Sequence, residues 1–180
     1  LTSMLEIELV TNAVQYCSDL AILFFASMKP PTEYIKTVSS VHDTGSGSVS
    51  EFYEKIPERS DDYFWNLFGY NRIDLTDEEI KKGERSIERF KKDIKIISKY
   101  FRRHYQLYTG YKHGMRIFVL KNEYNGNNLI FMPTQRGDFD IAEVGAMWYL
   151  QSIEIVGMVH RMFTKIIEPL ISWIPFAQMT

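Results

Sequence analysis

TDEEIKKGERSIERFKKDIKIISKYFRRHYQLY, residues 76–108, is the stretch from which the architecture follows. Thr76-Asp-Glu-Glu79 is a capping box, in which the Thr76 hydroxyl can accept from the Glu79 amide while the Glu79 carboxylate reaches back. From there Ile80, Ile87, Phe90, Ile94, Ile97, Phe101, Tyr105 and Tyr108 recur at three-and-four spacing, which lines them along one side of a helix. Such a helix is about 50 Å long at about 1.5 Å per residue.

The same stretch is basic. Residues 81–116 hold 12 Lys or Arg against 3 acidic residues, a local +9 in a chain of net charge −2, which leaves −11 elsewhere. A surplus of that size on one helix makes a field that attracts phosphates or an acidic partner. The competing reading is a solvated helix face on which Glu84 and Glu88 pair with Lys or Arg neighbours at helical spacing.

Upstream, Leu5, Leu9, Ala13, Tyr16, Leu20, Leu23, Phe24 and Ser27 share the helical period, so a first helix is expected to end near Met28, where Pro30 and Pro31 stop it. Glu33 to Val41 reads as a short helix. His42-Asp-Thr-Gly-Ser-Gly-Ser48 is polar and glycine-rich, so a flexible loop is expected over about 42–50, and no Gly-Lys-Ser/Thr follows that would cradle a phosphate. Ser50 to Ile56 and Asp61 to Phe68 read as two short segments separated by Pro57.

Downstream, Arg116 to Leu120 and Leu129 to Met132 read as short strands around a two-residue turn at Asn125-Gly126. The alternative is that the long helix continues to Leu120. Asp140-Ile-Ala-Glu143 offers a second helix start, and the apolar stretch to Ile167 is expected to lie in the middle of a bundle. The expected fold class is therefore mainly α: one domain over residues 1–180, an antiparallel helical bundle with a small β-hairpin.

Composition narrows the function. Cys17 is the only cysteine, which excludes an intramolecular disulfide and a thiolate zinc cluster and fits a reducing, cytoplasmic setting. Unbroken apolar runs such as Leu20 to Met28 fall short of the roughly 20 residues a bilayer requires, so no membrane span is expected. The sequence opens on Leu1, as a chain beginning after a tag, a processed end or a disordered start would. No nucleophile elbow, P-loop or dinucleotide fingerprint is present, and no cofactor is expected. His42 and His160 lack a second ligand at metal spacing. Asp138, Asp140 and Glu143 could share a cation, but two of them read equally as helix-start residues, so no metal is expected.

The densest chemistry lies in Phe101 to Arg116, which gathers Arg102, Arg103, His104, Lys112, His113 and Arg116 among three tyrosines. A guanidinium beside an imidazole suits a phosphodiester, because one steadies the anion and the other moves a proton near neutral pH. Tyr111-Lys112-His113-Gly114 at the end of a long helix resembles the HEPN superfamily of prokaryotic helical bundles. The resemblance implies a bundle of helices, commonly dimeric, whose active members are metal-independent ribonucleases using an Arg and a His with four to six residues between them. Upstream of His113 that window holds Gln106 to Tyr108 and no arginine, so only His113 carries over directly.

Two functions follow as expectations. The first is a non-catalytic HEPN-like binding module, a homodimer that meets RNA or an acidic protein through Lys95, Lys99, Lys112, Tyr108 and Tyr111. The second is a ribonuclease in which His113 works with Arg102, Arg103 or Arg116. A blander reading ends the helix at Gly110 and Gly114, with Lys112, His113 and Arg116 meeting its carbonyl end.

Overall fold

The computed structural model describes residues 2–41, 47–68, 75–112, 118–133 and 139–172. Six α-helices and one small sheet make up the described chain: α1 (Thr2–Ser27), α2 (Tyr34–Ser40), α3 (Val49–Lys55), α4 (Asp61–Leu67), α5 (Asp77–Lys112), β1 (Phe118–Lys121), β2 (Asn128–Pro133), β3 (Phe139–Val144) and α6 (Ala146–Ser172).

The 36 residues of α5 form one unbroken rod. Its start is built as the capping box requires: the Thr76 amide donates to Glu79 Oε2 at 2.8 Å, and the Glu79 amide lies 3.4 Å from Thr76 Oγ1. These contacts satisfy donors that the first turn leaves without intrahelical partners. Thr76→Ala is expected to cost about 1 kcal/mol in urea unfolding; an unchanged midpoint would mean the cap contributes nothing. At the other end Gly110 is buried inside the helix, which runs past it to Lys112, so this glycine does not terminate α5. Gly114 lies outside the described residues.

The first helix ends where the prolines demand, and its buried side is the expected one only in part. Ala13, Leu20 and Phe24 of the expected stripe are enclosed, but so are Ile7, Val10, Val14 and Cys17, whereas Leu5 and Tyr16 are exposed. A helix apolar nearly all round offers several periodic subsets, and only its neighbours select one. Here α1 takes the middle of the bundle, packed on α5 and α6 and covered at its C-terminal end by α3. Phe24 meets Phe52 at 5.1 Å and Phe90 at 5.7 Å between ring centroids.

That corrects the place given to α6. It buries Ile155, Val159, Met162 and Ile166 on one side and leaves Met147, Leu150 and Ile153 more than half exposed on the other. Contacts fix the directions. The C-terminal end of α5 meets the N-terminal half of α1, where the Tyr111 hydroxyl reaches Glu8, and its earlier Phe90 meets Phe24 near the end of α1; Tyr100 of α5 meets Ser152 of α6 while Arg161 approaches Asp93. Thus α5 runs antiparallel to both α1 and α6.

The expected hairpin is present and is larger. In the antiparallel order β1-β2-β3, Phe118 pairs with Phe131 and Phe131 in turn with Ile141. The long helix therefore does not continue to Leu120. The turn is also longer than two residues: Asn122 and Asn127 are joined by a 2.7 Å backbone bond, and Gly126 adopts φ 71°, a left-handed conformation that suits glycine. Asp140 to Glu143 is strand, not a helix start, and α6 opens at Ala146. Glu143 instead accepts from Asn125 Nδ2 at 2.6 Å and Asn127 Nδ2 at 3.0 Å, bracing the turn.

The loop expected over 42–50 is shorter at its far end. Buried Ser48 caps α3 by accepting from the Glu51 amide at 3.2 Å, so 49 and 50 are helical; His42 to Ser46 lie outside the described residues. Counting unbroken apolar runs also understated α1. Met4–Ser27, 24 residues, holds an 18-residue window of mean hydropathy 1.4, so it is long and apolar enough to cross a bilayer, and 56% of that window is buried within the fold, as in a core helix.

Candidate functional site

Opposite its buried stripe, α5 presents Lys81, Arg85, Glu88, Lys92, Lys95, Lys99 and Arg102 at successive steps of three and four, all exposed. The row spans about 32 Å at about 1.5 Å per residue. Its N-terminal end is mixed, because Asp61, Glu84 and Glu88 share an open depression with Lys81 and Arg85. From Lys92 to Arg102 the row is purely cationic. The ion pairs of the described residues are Lys91 with Asp61 at 2.7 Å, Arg161 with Asp93 at 3.8 Å, and Lys55 with Glu51, so none of these four cations is neutralised. The pairing expected of Glu84 and Glu88 is absent from them.

The remaining expected site residues divide. Arg102 and Arg103 stand about 15 Å along the helix axis from Lys112. Arg103 turns toward α6 and lays its guanidinium over the Trp148 ring, 4.7 Å from the centroid. Lys112 lies over the Tyr108 ring at 5.4 Å. Tyr108 is buried against α1, and Tyr111, about a third exposed, reaches Glu8 at 3.5 Å. Tyr108 therefore packs the bundle and does not offer a binding surface. His113 and Arg116 lie outside the described residues, as do His42 and Asp138. Among the described residues no three His, Cys, Asp or Glu side chains converge as metal ligands.

No protein-family model, curated protein or solved structure matches this chain.

Behind the basic row lies a residue whose burial the sequence reading did not anticipate. His104 is 1% exposed, and neither ring nitrogen has a hydrogen-bond partner. Its ring sits 4.4 Å from that of Tyr100 and 4.3 Å edge-on from that of Trp148. Tyr100 continues the seam, its hydroxyl 2.6 Å from Ser152 Oγ and 3.4 Å from the Val10 carbonyl, so α1, α5 and α6 meet at this point. Burial pushes the imidazole down to about 4, and the adjacent Arg103 charge adds to the effect. Burial likewise raises the Tyr100 phenol, while the Ser152 hydrogen bond opposes it. At neutral pH His104 is thus an uncharged wedge.

The signal that would have placed it was spacing. His104 follows Phe101 by three residues and Ile97 by seven, which puts it on the apolar stripe and not among the cations.

Proposed function

We propose that the chain is a non-catalytic helical binding module, HEPN-like in kind, whose working surface is the outward row of α5 and whose ligand is the phosphate backbone of RNA. The observation carrying this reading is the run Lys92, Lys95, Lys99 and Arg102, four exposed cations on one line with no acid paired to them. Holding like charges together on a rigid rod costs self-repulsion that a polyanion relieves, and a straight row suits evenly spaced phosphates better than a compact anion. In this reading the module works as a homodimer in the cytoplasm and needs no cofactor.

The test is anisotropy of labelled RNA against salt. Binding should weaken steeply as salt rises, and replacing Lys95, Lys99 and Arg102 by Ala together should lower the log–log salt slope by about 2 to 3, at about 0.7 to 0.9 per lost phosphate contact. Lysine and arginine changes at Lys36 and Arg59, off the row, should leave it unchanged. Binding that ignores salt, or that survives the triple change, would overturn the reading. Capture of a polyglutamate chain with no RNA binding would assign the row to an acidic protein instead. The alternative function, a metal-independent ribonuclease using His113 with Arg102, Arg103 or Arg116, differs in outcome: the labelled RNA would be cut, and His113→Ala would stop the cutting.

A further inference from the structure

The buried imidazole at the junction of three helices has no role in binding a polyanion. A buried polar side chain without partners costs free energy that an apolar side chain of the same shape would not, so His104 is a poor choice if packing were its only task. What histidine adds over phenylalanine is a charge that appears as the pH falls.

Among the described residues the surroundings leave that charge nothing to pair with. From α5 itself the ring meets Tyr100 and the Arg103 cation; from α6 it meets Trp148, with Ser152 beyond Tyr100. On α1 the Val10 carbonyl faces the Tyr100 hydroxyl at 3.4 Å. The carboxylates of α1 are engaged elsewhere: Glu6 with Asn128, Glu8 with Tyr111 and Asp19 with Gln15. On the α3 side the Tyr53 phenol is held by the Cys17 carbonyl. β2, which also touches α5, buries Asn128, Ile130 and Met132, none of them ionisable. Arg103 is therefore the charge that acts on the ring, and it repels a proton.

We propose that His104 makes the seating of α6 on α5 conditional on proton concentration, so that mild acid loosens the joint at Trp148. The ring can take its proton from water only when α6 lifts, and once charged it resists re-burial between two aromatic rings. The direction follows from linkage. The folded imidazole binds its proton less readily than the unfolded one, so stability is complete above the ordinary histidine value near 6.5 and drains away as pH falls toward about 4.

The experiment compares urea unfolding of the full chain at pH 7.5 and 5.0, native against His104→Phe. Between these pH values the native unfolding constant should rise roughly 30-fold more than that of His104→Phe. Equal pH responses would overturn the proposal. Should His104→Phe fail to fold, the native protein still decides: an NMR titration should place the His104 midpoint well below 6.5, and a midpoint at the free-imidazole value would overturn it. Hydrogen exchange locates the effect. After correction for intrinsic rates, amides of 152–159 should lose protection at pH 5.0 ahead of those around Phe90, and a uniform loss would overturn the assignment to the α5–α6 joint.

Discussion

Alanine at Gly83 should destabilise the protein, although alanine is the better helix former by about 1 kcal/mol. Gly83 lies inside α5 beneath the indole of Trp65 from α4, where an added Cβ would stand 2.1 Å from Cη2 and 2.8 and 2.9 Å from Cζ3 and Cζ2. No real methyl group approaches a ring so closely, so the indole has to move. Trp65 is 3% exposed. Sliding it into the cleft formed with Phe68, Leu75 and Ile87 would trade buried contacts for water. Overpacking of this kind costs about 1 to 3 kcal/mol, enough to exceed the helix gain.

The partner change is larger. Trp65→Ala is expected to lose about 3 to 5 kcal/mol, since the ring bridges α4 to α5 and nothing nearby can fill its volume. Once the ring is gone, Gly83→Ala should become stabilising by up to about 1 kcal/mol. A double-mutant cycle in urea reads this reversal directly. The same sign for Gly83→Ala in both backgrounds would show that the close approach is not what selects glycine.

A comparable loss is expected at Tyr53. This residue is fully buried in α3, stacks on Phe101 of α5 at 4.6 Å, and meets Phe52 edge-on at 5.0 Å. Its hydroxyl donates to the Cys17 carbonyl of α1 at 2.5 Å, and its own carbonyl accepts from Ser98 of α5 at 2.5 Å. One short helix is thereby fastened to two of the long ones, α1 and α5. Tyr53→Ala should cost about 3 to 5 kcal/mol, mostly from the cavity left beside Phe101. Tyr53→Phe keeps the ring and removes one hydrogen bond, which should cost about 1 kcal/mol while leaving the Cys17 carbonyl short of a donor. Calorimetry of the two variants checks the ordering. Against a total of about 5 to 15 kcal/mol for a domain, the alanine change removes a large share of stability. A melting temperature for Tyr53→Ala equal to that of the native chain would mean α3 is not a structural clamp.

The parts legible in the sequence are those written locally. The cap at Thr76, the prolines after Ser27 and the stripe from Ile87 to Tyr108 each depend on residues within a few turns, and each appears in the fold as read. What goes astray depends on distant partners. Asp140 and Glu143 have the spacing of a helix start, but Ile141 and Phe131 meet across a sheet, and no local signal announces that pairing. The side of α1 that faces inward cannot be chosen from α1 alone, because Val10 and Val14 compete with Leu5 and Leu9, side chains of similar hydrophobicity. The cationic row is countable from sequence, and its alignment follows from helical spacing. That its central members escape neutralisation is not readable there, because it depends on Asp61 and Asp93 engaging Lys91 and Arg161 instead. For His104, position in the stripe is a better guide than the chemistry of its ring.

The central place of α1 also orders events in time. Of the three long helices α1 is synthesised before the two that enclose it, and the second of these, α6, is made more than a hundred residues later. Until α6 is made, the apolar flank of α1 that it will cover stays open to water or to a chaperone, and the core closes only when these two helices come together. Contacts between such distant stretches slow folding and lengthen the interval in which a nascent chain can aggregate.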